Sequence, residues 1–224
     1  MGLYHLGSVH DLDLTSAVVQ IPHVTFPLRD EDRLSQHLFR EFLALRKRVF
    51  TDQKGWDVWL KKKNDIDQYD QYDAHYIVVY NPCTLKVVAG ARLLRTDRGL
   101  RDPAAGGGTY MIKDAVNGHL DALPSDLLFG APPEESATWE LTRLVSEGPP
   151  AAVGLVLKEL NRFLVLQSAQ SCLFLGPRVI ARLARSAGFR PSPIGRMSSN
   201  EDGSFQVFQC EVIYPLMSLP TSST

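Results

Sequence analysis

The sequence predicts an α/β fold, a single domain built on one mixed central β-sheet flanked by helices. Three observations lead there. Short β-branched runs alternate with segments of helical period along most of the chain. Their order is helix, hairpin, strand, helix, strand, helix, strand, which places helices on both faces of one sheet. The chain has 224 residues, 44% hydrophobic and 22% charged, enough for one full core.

Taken in order, "AVVQIPHVTF" (17–26) is rich in β-branched residues and reads as a first strand. Pro22 within it argues for an edge position or an early end. Residues 1–25 thus hold a polar start and this first strand. From Asp30, a capping residue, Leu34, Leu38, Phe39, Phe42, Leu45 and Val49 recur at helical spacing, so a helix is expected to about Phe50. "TDQKGWDVWLKKKNDIDQYDQYD" (51–73) has no clean period and reads as a long structured connection of the kind that carries function. "AHYIVVY" (74–80) and "KVVAGARLLR" (86–95) form a hairpin across the turn "NPCTL".

Residues 98–118 hold three consecutive glycines, which are costly to order and bring no side chain in return, so a flexible loop is expected there. "ATWELTRLVS" (137–146) resumes strand character and "GPP" stops it. "AAVGLVLKELNRFLVLQSAQ" (151–170) is a nearly all-apolar helix that must be largely buried, and "CLFLG" (172–176) a short buried strand. "PRVIARLARSAGF" (177–189) reads as a helix with Pro177 in its first turn and Gly188 at its C-terminal end, and "SFQVFQCEVI" (204–213) as the last strand.

Composition excludes several classes. With 24 basic and 25 acidic residues, the formal charge of -1 builds in no pull toward nucleic acid or an anionic membrane. Cys83, Cys172 and Cys210 are odd in number and widely spaced, which suits a reducing compartment, and their apolar neighbours suit packing better than nucleophilic catalysis. No apolar run approaches the roughly 18 residues of a membrane span, and the N-terminus has no signal-peptide pattern; a cytoplasmic protein is expected. Asp65, Asp67, Asp70 and Asp73 lack the Gly and Glu of a calcium loop, and no histidine pair or phosphate-binding loop occurs, so neither metal nor prosthetic group is expected.

More informative are the charges on ordered elements: Arg46 at the end of the first helix, Arg92 in the hairpin, and Glu140 with Arg143 in "WELTR". On a regular strand, residues three apart point to opposite faces unless a bulge intervenes. A buried arginine needs a carboxylate, and the "DQYD" loop supplies some within reach; a surface salt-bridge net fits the same residues.

The spacing itself resembles a known family. "LRKRVFTDQKGW", "DIDQYDQYDAHYIVV", "VVAGARLLRT" and "WELTRL" carry Arg46, Phe50, Trp56, Asp67, Asp70, Arg92, Glu140 and Arg143 in the pattern of the acyl-homoserine-lactone synthases, the autoinducer synthases of quorum sensing. The resemblance is strong over about residues 40 to 145 and only an outline beyond. It implies an N-acetyltransferase-like fold, and acylation of the amine of S-adenosylmethionine from a thioester on acyl carrier protein or coenzyme A, followed by lactone closure with release of methylthioadenosine. It also implies Glu140 as base, Arg46, Arg92 and Arg143 as cations that hold carboxylates, and Asp67 and Asp70 as their partners. Phe50, Trp56 and Arg46 would bind S-adenosylmethionine, and Leu173, Phe174 and Leu175 would line the acyl pocket. The absence of a hydroxyl from "CLFLG" favours an unsubstituted, branched or aryl acyl group.

Arg178, Arg182 and Arg185 share one helical face, with Lys158 and Arg162 on the preceding helix, and form a candidate dock for an acidic carrier protein. The N-terminal extension and the 98–118 segment depart from the family pattern. The rival reading is an ordinary amine acetyltransferase using an acyl-coenzyme A. Its pyrophosphate loop would fall at "RLVSEGPPAAVG", where prolines stand in place of N–H donors. A third reading is a non-catalytic module that binds S-adenosylmethionine or a thioester; the intact Glu140, Arg143 and Asp70 weigh against it.

Overall fold

The computed structural model describes residues 4–9, 14–20, 30–53, 66–71, 73–99 and 109–214. Among the described residues there are nine strands: β1 (Tyr4–Val9), β2 (Leu14–Gln20), β3 (His75–Tyr80), β4 (Val87–Arg95), β5 (Thr138–Ser146), β6 (Ser171–Gly176), β7 (Ser192–Pro193), β8 (Ser198–Asn200) and β9 (Gly203–Glu211). They are ordered β1-β2-β3-β4-β5-β6-β9-β7, with β8 pairing β9 off this path. The pairing of β5 with β6 is parallel, and the other neighbours are antiparallel. The mixed sheet of the sequence reading is therefore present.

Within the described residues the helices α1 (Asp30–Arg46), α2 (Met111–Val116), α3 (Pro150–Leu166) and α4 (Arg178–Ser186) cover it. Leu38, Phe42 and Leu45 of α1 and Ile112 and Ala115 of α2 pack with Tyr76, Val78 and Leu94 on one face. On the other, Leu157, Leu160 and Phe163 of α3 and Ala181 and Ala184 of α4 pack with Ile77, Leu93, Leu141 and Phe174. The alternation of Tyr76 and Val78 with Ile77 and Val79 between these two cores is the period-two pattern of a sheet buried on both sides. At Gly90 the backbone of β4 passes so close to α1 that a Cβ would lie 2.6 Å from Ile77 O and 2.8 Å from the Phe42 ring.

Several elements differ from expectation. The strand expected over 17–26 occupies Leu14–Gln20 and ends before Pro22, the early end that this proline allowed; an unexpected strand, β1, pairs outside it, so β2 is not an edge. Its Leu14, Ala17 and Val19 are buried, which explains why it takes a place inside the sheet. The first helix gives way at Lys47 to a π-helical segment, Lys47–Gln53, a geometry that recurs at functional sites. Inside 98–118 the chain forms α2, and residues 100–108 lie outside the described residues. The burial of Tyr110, Ile112 and Ala115 offsets the cost of ordering α2, while Gly106, Gly107 and Gly108, on which the expectation of a flexible loop rested, lie outside the described residues. The apolar helix ends at Leu166, not 170, and β7 and β8 were not anticipated. Among the described residues no helix is long and apolar enough to cross a membrane.

Candidate active site

The site is built on the α1 face of the sheet. Arg46, the last residue of α1, lies over β4 with its side chain fully buried. Its Nη1 donates to Asp70 Oδ1 at 2.8 Å and its Nη2 to Asp70 Oδ2 at 3.1 Å, a bidentate fork. Arg92, on β4 and equally buried, donates from Nη1 to Asp70 Oδ1 at 2.9 Å and from Nη2 to Asp67 Oδ2 at 3.2 Å. Its Nε donates to Thr142 Oγ1 at 3.0 Å, which fixes the plane of the guanidinium. Arg143 completes the network through Nε and Nη2, at 3.1 and 2.8 Å from Asp67 Oδ2. Tyr76 Oη donates to Asp70 Oδ1 at 2.9 Å.

Arg143 reaches this face because β5 is irregular there. Arg92 pairs with Thr142 while Gly90 pairs with Val145, so β5 carries one residue more than β4 across that step. Arg143 itself sits in the left-handed region, φ 54°. The bulge turns a residue that regular alternation would send to the α3 face onto the face of Glu140 and Thr142. Of the three arginines it is the most open, with its side chain 13% exposed, and the Phe50 ring of the π-helical segment lies 5.2 Å from its guanidinium carbon. Arg48 and Glu147 tie the same segment to the end of β5, with Nη2 to Oε2 at 3.0 Å.

The charges of this network stabilise one another. Burial works to raise both aspartates, but Arg92, Arg143 and Arg46 around Asp67, and Arg92 and Arg46 around Asp70, hold the two carboxyls well below the usual range. Burial works against the Arg92 guanidinium too, and Asp67 and Asp70 overcome it, so its pKa is raised.

Glu140, on β5, is fully buried. Its Oε2 accepts the N–H of Met111 at 2.9 Å and its Oε1 that of Ile112 at 2.8 Å, so it caps α2 from across the fold. Burial raises its carboxyl to about 7, against the pull of those two N–H donors and of Arg92; Asp114 adds to the rise. A carboxylate poised there is suited to exchanging a proton near neutrality.

On the opposite face, Leu141, Leu157, Leu160, Cys172, Phe174, Ile180, Ala184, Phe189 and Cys210 enclose an apolar cavity of about 10 Å³. This is about the room of one water molecule, so larger ligands enter only as these side chains move apart. The cavity borders the place where β5 and β6 part, because their parallel pairing runs only from Thr138↔Ser171 to Leu141↔Phe174. Of the three residues expected at an acyl pocket, Phe174 lines the cavity. Leu173 and Leu175 pack instead with the α1-side core.

Of the residues singled out in the sequence, Arg46, Phe50, Asp67, Asp70, Arg92, Glu140 and Arg143 converge here, and Trp56 lies outside the described residues. Asp65 and Tyr72 lie outside them too, while Tyr76 both packs and joins the network. Arg178, Arg182 and Arg185 are exposed on α4, and Lys158 and Arg162 on α3. Cys172 and Cys210 are buried and Cys83 is exposed, all as free thiols. Sequence reasoning passed over Thr142, Thr109 and Asp114; "TYMIKDAV" did carry a helical signal, masked by the glycines before it.

The profile of the Autoinducer synthase family matches residues 30–104. The acyl-homoserine-lactone synthase of Acinetobacter nosocomialis is 24% identical over 177 residues, 74% of this chain and 87% of that protein. Among solved structures, TofI in a ternary complex with an inhibitor and MTA superposes with a TM-score of 0.67 at 20% identity, covering 88% of this chain and 91% of its own. BjaI, a CoA-dependent acyl-homoserine lactone synthase with SAM and isopentyl-CoA, gives 0.61 at 16% identity, covering 81% and 79%. A putative N-acetyltransferase from Lactobacillus plantarum gives 0.54 at 11% identity, covering 89% and 99%, which extends the likeness of fold to that class.

Proposed function

We infer that this chain is an acyl-homoserine-lactone synthase, which acylates the amine of S-adenosylmethionine from an acyl thioester and closes the lactone with release of methylthioadenosine. The observation that carries the reading is the convergence of Arg46, Asp67, Asp70, Arg92 and Arg143 in one network beside Glu140, with Phe50 against Arg143. Arg46, Asp67, Asp70 and Arg92 lie within the stretch that matches the Autoinducer synthase family, and the Acinetobacter nosocomialis relative and BjaI carry that activity in their names.

In this reading S-adenosylmethionine lies at the mouth marked by Phe50 and Arg143. The ring presents a π face to the sulfonium, an attraction of roughly 0.5 to 2 kcal/mol, and Arg143 orients the carboxylate. Glu140 takes the proton of the α-ammonium, whose pKa is about 8, directly or through a water at its remaining lone pairs. The freed nitrogen attacks the thioester carbonyl. Backbone N–H groups of β5 beyond Leu141, where β6 no longer pairs, stabilise the oxyanion. The carbon–sulfur bond then breaks and the carrier thiolate leaves. In the second step the substrate's carboxylate oxygen attacks the carbon bearing the sulfonium, and the carbon–sulfur bond breaks to release neutral methylthioadenosine. Here the protein chiefly holds the substrate folded on itself.

The acyl group enters between α3, α4 and β6, where every lining side chain is apolar or a thiol. An unsubstituted, branched or aryl acyl group fits that lining, and 3-oxo lactones among the products would overturn the preference. The donor is acyl carrier protein or coenzyme A, with the basic face of α4 as the carrier's dock. The thioester and S-adenosylmethionine are cytoplasmic metabolites, so the enzyme works there.

Incubation of the protein with S-adenosylmethionine and a panel of acyl thioesters tests the reading, with methylthioadenosine and lactone measured by mass. Both products in equal amounts are expected. An acylated amine without lactone would instead indicate an amine acetyltransferase, and no turnover with any donor would indicate a binding module.

A further inference from the structure

We propose that Asp114 is a positioning residue for Glu140, acting with Tyr69: together they pin α2 against the 66–71 segment, so that the N–H groups of Met111 and Ile112 hold the base's carboxylate. The inference rests on the synthase reading and on Glu140 as its base. Neither Asp114 nor Tyr69 belongs to the eight-residue sequence pattern.

The geometry points this way because α2 spans six residues, too few to persist without tertiary contacts. Its polar anchor is Asp114, 2% exposed. Asp114 Oδ2 accepts from Tyr69 Oη at 2.9 Å and Oδ1 from Thr109 Oγ1 at 3.0 Å. Tyr69 in turn belongs to the arginine–aspartate network. Its backbone N–H donates to Asp67 Oδ1 at 2.9 Å, and its ring lies 5.4 Å from the Arg92 guanidinium carbon. A continuous path therefore runs from Asp67 through Tyr69 and Asp114 to the two N–H groups on Glu140. It couples the base to the groups expected to hold the substrate.

Glu140 is faced by Arg92 from β4, Asp114 from α2, Tyr110 just before α2, Tyr69 from the 66–71 segment and Cys172 from β6. Among these, Asp114 disfavours the ionised base by like charge, whereas Arg92 favours it. Removing the charge in Asp114→Asn should therefore lower the pH at which Glu140 ionises. Removing the Tyr69 hydroxyl should raise it, because α2 loses its tether to the 66–71 segment and the Met111 and Ile112 N–H groups, which favour the ionised base, are held less firmly, while the ring's packing is kept. A merely structural role would lower the melting temperature without these opposite displacements.

The test labels the protein with carboxyl-¹³C glutamate and reads the Glu140 band by infrared spectroscopy across pH, with Glu140→Gln identifying the band. The pH dependence of kcat/KM for S-adenosylmethionine is measured on the same variants, and thermal melts check their folding. The midpoint is expected to fall by about one unit in Asp114→Asn and to rise by about half a unit in Tyr69→Phe, with the acid limb following. Thr109→Val, which deletes a second hydroxyl donor to Asp114, whose Oδ1 also lies 3.9 Å from His119 Nδ1, should move it the same way as Tyr69→Phe. Midpoints unchanged in all three variants would overturn the inference. The infrared midpoint needs no turnover, so an inactive wild type would sink the synthase reading, while an unmoved midpoint in an active one would sink only this inference.

Discussion

At Glu140 two opposed effects set the charge of a single carboxyl: burial drives it up, while two N–H donors and Arg92 pull it back, leaving it at about 7. Glu140→Gln keeps the shape but cannot take a proton. Steady-state lactone formation should then fall by about 10² to 10⁴ in kcat, with the KM for S-adenosylmethionine little changed. Full activity in that variant would remove Glu140 as base. Asp70 is a different case, because it accepts from Arg46, Arg92, Tyr76 and the Asp67 backbone. Asp70→Asn leaves Arg46 and Arg92 short of a buried counter-charge and should cost about 3 to 5 kcal/mol in urea unfolding. A loss under 1 kcal/mol would mean that the network adapts around it. The identities of these residues were legible in the sequence through its resemblance to the acyl-homoserine-lactone synthases, since charge and spacing alone left a surface salt-bridge net open. Their burial was not, since the same residues fit a solvated net equally well.

Among the elements, the contact of α1 with β4 depends on the missing side chain at Gly90. Gly90→Ala would drive a methyl against Ile77 O and the Phe42 ring. It should cost about 1 to 3 kcal/mol by thermal or urea unfolding and shift α1, which carries Arg46. A variant as stable as wild type would show that α1 can slide. The helices and the hairpin followed from hydrophobic period and turn residues. By contrast α2 did not, because a six-residue helix has little local signal and owes its existence to buried contacts with distant segments. On α4 the exposed face of Arg178, Arg182 and Arg185 predicts its own test. Reversal of charge at Arg178 and Arg182 should raise the KM for an acyl carrier protein donor several-fold, in a salt-dependent manner. Unchanged kinetics would favour coenzyme A or another dock.

For the whole molecule, stability should depend on pH through groups on both faces of the sheet. His75 lies on the α3 face between Trp139 and Phe163, and burial pushes it down to about 4. The unfolded chain then binds more protons than the folded one from about pH 6.5 to 4, so this group costs stability as pH falls through that window. Glu140 works in the opposite sense, because its raised carboxyl takes up a proton in the folded state between about 7 and 4.5. The two nearly offset each other, and the steep acid loss should begin only below about 4, where the depressed Asp67 and Asp70 must protonate. His75→Phe removes one side of that balance. The variant should gain on the order of 2 kcal/mol between pH 7 and 5 relative to wild type, read by urea unfolding. Parallel pH profiles would show that His75 is solvated in the folded protein. The sequence by itself determined which chemistry was available, through the eight patterned residues, and most of the strands and helices, because period and turn chemistry are local. Only the tertiary structure decided which face of the sheet that chemistry occupies. A bulge at Arg143, a helix capped from a distant strand and the parting of β5 from β6 all depend on segments far apart in the chain, whose packing no local pattern encodes.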